Sequence, residues 1–205
     1  MAAALRRHGV PATLFACGRA CPRDTDQQQA LLRDGSVVAT HSARDVGRFR
    51  VAVFRQRGSV AVVVHAVPDE IRPLADLGLP DSVTGLAAAE RGLVLVASPV
   101  GNGATTTMAA MVDHVNRTRA CHVVTVDDPV EILHADDRSL ISQLEVPADV
   151  ASLADGVRSA SRLDADVVTI SDIADRDVAL AALDAVARGR LVLAVIGGST
   201  VRNVV

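Results

Sequence analysis

Four apolar runs of strand length, Leu93–Ala97, His122–Val126, Asp166–Ile170 and Leu191–Ile196, mark out the second half of the chain. Helical stretches lie between them, at Thr105–Asn116, Asp149–Leu163 and Arg176–Arg188, and Ser139–Val146 is a candidate for one more strand. A strand apolar throughout cannot face water on either side. It needs a helical layer above and below its sheet, and helices that alternate with strands supply those layers as parallel crossovers. The pattern therefore predicts an α/β domain with a parallel sheet, with Leu93–Ala97 and Asp166–Ile170 as neighbouring strands. Ligands in such sheets sit at the carboxyl ends of the strands. The informative loops are those after Ala97, Val126, Ile170 and Ile196.

Upstream, the texture is different. Residues 1–46 carry little pattern beyond a helical stretch at Gln27–Arg33 and a turn at Asp34-Gly35. Arg48–Phe54 alternates polar with apolar, Gln56-Arg57-Gly58 turns, and Ser59–Val64 returns, which predicts an antiparallel hairpin. Pro68, Pro73 and Pro80 make Pro68–Ser82 a linker. The expected organisation is an N-terminal domain over 1–67, a linker over 68–82 and an α/β core over 83–205.

Composition removes several classes of function. A hydrophobic content of 49% argues against disorder. A net charge of −3, with Phe15, Phe49 and Phe54 as the whole aromatic complement, gives no basic or stacking surface for nucleic acid. No stretch reaches the roughly 18 apolar residues of a membrane span, and Arg6-Arg7 interrupts the opening too early for a secretory signal. The chain is expected to be cytoplasmic. Cys17, Cys21 and Cys121 are an odd set that leaves no complete disulfide pairing. Cys17-x-x-x-Cys21 is half of a metal site with no second close pair to complete it. The sequence has no lysine.

The loop after the first core strand reads Ser98-Pro-Val-Gly101-Asn102-Gly103-Ala104-Thr105-Thr106-Thr107. It sits between a buried strand and a helix, where a phosphate-binding P-loop belongs. Gly101 and Gly103 would turn the backbone N–H groups inward, and the helix start would add partial positive charge. Thr105 occupies the position whose hydroxyl would coordinate Mg²⁺. Position 104, where such a loop carries lysine, is alanine. Taken alone, the loop fits an ordinary glycine turn capped by threonine equally well.

Neighbouring segments extend the likeness. Arg91-Gly-Leu-Val-Leu-Val precedes the loop and Ala109-Ala-Met-Val-Asp-His-Val-Asn-Arg-Thr-Arg-Ala-Cys-His122 follows it. Gly47-Arg-Phe-Arg-Val-Ala-Val-Phe-Arg-Gln-Arg-Gly58 lies upstream. Val124-Thr-Val-Asp-Asp-Pro-Val-Glu131, Ser142-Gln-Leu-Glu-Val146, Asp164-Ala-Asp-Val-Val-Thr-Ile-Ser-Asp172 and Gly189-Arg-Leu-Val-Leu-Ala-Val-Ile-Gly197 lie downstream. From about residue 47 to 200 these resemble, in order and spacing, the hexameric motor ATPases of type IV pilus retraction and type II secretion. The resemblance implies a RecA-like P-loop core preceded by a partial PAS-like α/β domain. It implies a nucleotide site at Gly101, Asn102, Gly103, Ala104, Thr105 and Thr106, with Mg²⁺ on Thr105 through ATP. Glu131 would position or activate the attacking water, and Asp172 would stand in the Walker B box. Implied partners are motor ATPase subunits, in a homo- or hetero-oligomer, and the inner-membrane platform of a pilus or secretion system. The family's N-terminal domain begins before the point matched by Met1, and a C-terminal helical domain follows its His box, so a truncated copy is implied.

The departures fall on the chemistry. Ala104 replaces the P-loop lysine, Val100 and Asn102 replace a Thr and a Ser, and Asp172 replaces a glutamate. Ile173 and Ala174 replace a Met-Arg, and Gly197 stands where the His-box histidine belongs. Thr105, the Asp128–Glu131 pair, Arg158 and Arg162 remain. Three readings are therefore open: a pseudoenzyme with weak or no ATP binding, a working motor subunit, and a non-functional gene remnant. Among weaker constellations, His114 and His122 are expected to serve helix-end and strand-start roles. His134, Asp136 and Asp137 with Asp127 and Asp128 form an acidic stretch expected to be a solvated loop rather than a cation site. Asp172, Asp175 and Asp177 are expected to begin a helix.

Overall fold

The structure is a computed structural model that describes residues 14–16, 25–43, 47–66, 70–99 and 101–198. Cys17, Cys21 and Val100 lie outside the described residues. The chain divides into two compact units, Met1–Asp69 and Glu70–Val205.

The first unit is an antiparallel sheet of four strands: β1 (Leu14–Ala16), β2 (Ser36–Ala43), β3 (Gly47–Gln56) and β4 (Ser59–Ala66), in the order β1-β4-β3-β2. The expected hairpin is the β3–β4 pair, in register from Phe49↔Ala66 to Gln56↔Ser59. Its two-residue turn holds Arg57 and Gly58 at φ 47° and 77°, the mirror-image geometry that suits the twist of the flanking strands. Helix α1 (Thr25–Asp34) contributes Leu31 to a small core with Val53 and Val62.

The second unit opens with a 3₁₀ helix at Leu74–Leu77 and the short helix α2 (Ser82–Ala87). Most of the stretch expected as a linker thus belongs to this unit. Its prolines punctuate the chain, but Leu74 is buried and Leu77 and Leu79 pack against the same core. Five strands follow: β5 (Gly92–Ser98), β6 (His122–Asp127), β7 (Leu140–Glu145), β8 (Val167–Ile170) and β9 (Leu191–Gly197). All pair in parallel, in the order β5-β9-β8-β6-β7. The α/β parallel sheet and the additional strand are as expected, but β5 and β8 are not neighbours, because β9 lies between them. The reason is burial. Leu191–Ala194 and Val167–Ile170 are wholly buried and hold the interior, whereas β5 alternates, with Leu93 and Leu95 37% and 40% exposed, and takes an edge.

Two helical layers cover this sheet. Helix α3 (Ala104–Thr118) packs Met108, Ala110, Met111, Val112 and Val115 on Val123, Val167, Leu191 and Leu193. Helices α4 (Leu153–Arg162) and α5 (Arg176–Ala187) lie on Val124, Val126, Val168, Ile170, Val192 and Ala194. The alternation of strand side chains between the layers follows from the two-residue period of the pleat. Each fully buried Val or Ile is worth about 1.5–3 kcal/mol. Helix α4 starts later than the Asp149 expected from sequence. The Asp149 carboxylate instead accepts the Glu145 N–H at 2.9 Å, and Ser152 caps the helix by accepting the Asp155 N–H at 3.1 Å. Asp175 caps α5 in the same way, accepting from Val178 at 2.9 Å, with Asp177 in the first turn.

Close approach of α4 to β6 rests on Gly156, where an added Cβ would overlap the Val126 side chain. Ala normally gains up to about 1 kcal/mol over Gly inside a helix, but overpacking a core costs about 1–3 kcal/mol. Gly156→Ala is therefore expected to lower stability, by about 1–2 kcal/mol net, in urea unfolding. Equal or higher stability would show that α4 shifts freely away from the sheet.

Candidate functional site

The loop between β5 and α3 has the backbone that its glycines predict. Gly101 and Gly103 take φ of 86° and 91°, a region costly for any residue with a Cβ. Asn102 donates its N–H to the Pro99 carbonyl at 3.2 Å, and Thr107 donates to Gly103 at 2.8 Å, which starts α3 with Gly103 as its N-cap. The first N–H groups of α3 have no carbonyl within the helix to bond, so this end carries partial positive charge.

Beside it, at the carboxyl ends of β6, β8 and β9, lies a cleft of about 230 Å³. Thr105, Met108, Ala109 and Val112 form its α3 wall, and Thr125, Asp127, Thr169 and Val195 come from the strands. The loop after β6 adds Asp128, Glu131 and His134, and the loop after β8 adds Ser171, Asp172 and Ala174. The fold thus brings together three of the expected site residues, Thr105, Glu131 and Asp172. Gly101, Asn102, Gly103, Ala104 and Thr106 form the loop and helix start and do not line the cleft. Gly197 ends β9, paired with Ser98. Arg158 and Arg162 are outside it on α4, where they line a separate groove with Leu180, Asp184 and Arg188.

The cleft wall is organised by residues whose role the sequence does not announce. Asn116, only 4% exposed, donates to the Ala135 carbonyl at 2.7 Å and accepts from the Asp137 N–H at 3.1 Å. This ties the loop that carries Glu131 and His134 to the end of α3. Gln143 donates to the Ile132 carbonyl and accepts the His134 N–H, both at 2.9 Å. Within the acidic stretch, Asp136 accepts from the Ile141 N–H at 2.9 Å. Among the described residues, no group of three or more His, Cys, Asp and Glu side chains is placed to hold a metal ion. His122 bonds the Leu163 carbonyl and Ser142 through its two ring nitrogens, a structural role.

Electrostatically the cleft is acidic. Asp127, Asp128, Glu131 and Asp172 line it, and among the described residues no lysine or arginine does. Burial pushes the Asp127 carboxyl up to about 6, the Thr125 hydroxyl bonded to it at 2.7 Å opposes the shift, and Glu131 and Glu145 add to it. Burial also pushes the His134 imidazole down, and its Nδ1 is buried without a hydrogen-bond partner. Asp127, which the sequence reading placed in an acidic stretch expected to be a solvated loop, instead ends β6 and lines the cleft. Its signal was the two-residue spacing from Thr125, which puts both on one face of β6.

A carboxyl whose pKa is higher in the folded chain than the ordinary 3.8 binds its proton more tightly there. Its stabilising contribution is complete below about pH 4 and is lost as pH rises through about 6. Asp127→Asn keeps a neutral side chain at every pH. It is expected to be more stable than wild type at pH 7.5, with the difference shrinking towards pH 4 in chemical unfolding. A pH-independent difference would contradict the buried position of this carboxyl.

Comparison with known proteins gives the same picture. The profile of the family described as Type II/IV secretion system protein matches residues 31–205. The uncharacterized protein YggR of Escherichia coli (strain K12) is 36% identical over 171 residues, 83% of this chain and 52% of its own length. The type IV pilus retraction ATPase PilT of Pseudomonas aeruginosa is 35% identical over 147 residues, 72% of this chain and 43% of its own. The crystal structure of the pilus retraction motor PilT with bound ADP superposes with a TM-score of 0.84 at 38% identity, covering 88% of this chain and 53% of that one. The ATPase DotB of Legionella pneumophila shares the fold, with a TM-score of 0.81 at 23% identity over 88% of this chain and 52% of its own. The five-stranded unit has the RecA-like fold of these ATPases, and the chain is homologous to pilus retraction and secretion motors. It spans about half the length of the relatives it matches.

Proposed function

The chain belongs to the type II/IV secretion system protein family, and we propose that it is a degenerate copy of that family's motor ATPases. On this reading it binds Mg²⁺–ATP weakly or not at all, and it hydrolyses little or none. It acts through association with motor subunits at the inner-membrane platform of a pilus or secretion system. Its N-terminal unit corresponds to a PAS-like domain, a reading supported by the four-stranded antiparallel sheet with α1.

The observation that carries the reading is a helix N-terminus with the glycine geometry of a phosphate loop, alanine at position 104, and a cleft lined by no lysine or arginine among the described residues. An ammonium about 4 Å from a phosphate charge is worth up to about 4 kcal/mol at an effective dielectric near 20. That corresponds to about three decades of affinity. The same charge would stabilise the transferring phosphoryl group, so turnover falls further than binding. Asp172 ends one C–C bond, about 1.5 Å, short of where a glutamate would reach, and a misplacement of about 1 Å can cost a factor of about 10².

A second reading, a working ATPase, draws on Thr105, Glu131 and Asp172 sharing one cleft. The two separate by a rate measurement. The pseudoenzyme reading expects no ATPase above background with Mg²⁺. A turnover that disappears on changing Glu131→Gln would overturn it.

Repairing the charge tests the cause. In isothermal titration with Mg²⁺–ATP, Ala104→Lys is expected to gain affinity approaching the three decades estimated above, without regaining hydrolysis. Equal, negligible affinity in wild type and Ala104→Lys would mean that the loop no longer forms a pocket, and the remnant reading would replace this one.

A further inference from the structure

Strand β5 is apolar from Leu93 to Ala97, a composition suited to a strand covered on all sides, yet it sits at an edge of its sheet with β9 as its one partner among the described residues. Its hydrogen bonds fix which residues look outward. The Gly92 N–H donates to the Arg190 carbonyl at 3.1 Å, and the Gly198 N–H donates to the Ser98 carbonyl at 3.4 Å. Along a strand the N–H and C=O of one residue point to the same side, and successive residues alternate. Gly92, Val94, Val96 and Ser98 therefore bond β9, while the N–H and C=O groups of Leu93, Leu95 and Ala97 line the free edge. No described residue of this unit bonds them. Val94 and Val96 pack into the core beneath α3, so the pleat puts Leu93, Leu95 and Ala97 on the opposite face, where all three are exposed. Edge strands are ordinarily protected by a charge, a proline or a bulge. Gly92–Ser98 has none of these: its register with β9 is unbroken, and Arg91 and Pro99 lie just beyond its ends.

We propose that this edge pairs with the same edge of a second copy of the chain, β5 against β5, antiparallel about a two-fold axis at Leu95. The strand is its own complement, which is what selects a second copy as the occupant. With Leu95 opposite Leu95, Leu93 falls opposite Ala97 and Gly92 opposite Ser98. The residues with outward-facing backbone groups then meet one another, and each such pair exchanges both bonds. A slip of one residue sets outward-facing groups against inward-facing ones and loses the pairing. The strand is uncharged, and Arg91 falls opposite Pro99, so no like charges face each other across the axis. Beside the axis the two Leu95 side chains cover each other, and each Leu93 covers Ala97 of the other copy, which takes apolar surface out of water. A contact of one strand with few side chains stays below about 1,000 Å², the range of weak association, so the dimer forms only at high concentration. The proposal is independent of the nucleotide-site reading.

The test is sedimentation of the full chain from about 1 to 500 µM, a range chosen for weak association, with amide hydrogen exchange measured at both ends of the range. Wild type is expected to pass from monomer to dimer, and the amides of Leu93, Leu95 and Ala97 to exchange more slowly at the high concentration than at the low one. Leu95→Lys sets two like charges together on the axis, while in the monomer the exposed side chain still reaches water. It is expected to weaken dimerisation by at least about tenfold. If Leu95→Lys does not fold, Ala97→Pro replaces it. That variant removes one outward-facing N–H, which an edge strand tolerates, and should weaken the dimer in the same direction. A monomer at every concentration with these three amides unprotected would overturn the proposal. A monomer with the amides protected throughout would also overturn it, since another segment of the same chain would then cover the edge. An assembly indifferent to both variants, with the amides exchanging alike at both concentrations, would place the interface elsewhere and overturn it too.

Discussion

Strand β8 has β6 and β9 on its two hydrogen-bonding edges and apolar helices on both faces, and all four of its residues are buried. No part of its backbone can be satisfied by water, so every group must be paired within the sheet. Its neighbours are held in parallel and in register, with Thr125, Thr169 and Leu193 side by side. The ends of these strands therefore emerge together, and the loops after β6 and β8 meet at one edge. The cleft follows from that meeting. Thr125 and Thr169 sit in buried strands yet line it, so the same rigid scaffold that excludes water from the core fixes the polar groups at its end.

What the scaffold presents there is lopsided in charge. The start of α3 gives an anion-favouring backbone, while the strand ends give carboxylates. Where a lysine faces such carboxylates, the two signs offset each other. Without it, Asp127 is left against Glu131 and Glu145 with a hydroxyl as its recorded side-chain donor. On the proposed reading, alanine at position 104 is felt as missing attraction for phosphate at the start of α3. A fold can survive such a change because none of these carboxylates belongs to the buried core.

The parallel α/β core was legible because its constraint is local. An apolar run of strand length followed by a helix leaves few arrangements, and the glycine loop's position after the first run followed directly. Strand order was less legible. Nothing local in Leu191–Ile196 says that it inserts between β5 and β8, and only the comparison of burial along β5 with that along β9 reveals which is the edge. The proline-marked stretch before β5 misled for a related reason, since Leu74 is apolar in a context of turn signals and its burial depends on α3. Thr105, Glu131 and Asp172 could be named from their boxes, and they do share a cleft. Asn116 and Gln143 could not, because each amide is defined by a partner 19 or 11 residues away in the chain. The residues that shape the site are thus less visible in the sequence than those that would act in it.

The central claim is that the loop keeps its phosphate-binding backbone while the site has lost the charge that made binding strong. The most direct measurement is the backbone amide spectrum of ¹⁵N-labelled protein during titration with pyrophosphate and Mg²⁺. The account predicts that the amides of Gly103, Ala104 and Thr105 shift together, saturating only at concentrations about three decades above those of a lysine-bearing loop. Shifts confined to residues elsewhere, or saturation of these amides at concentrations typical of an intact loop, would contradict it.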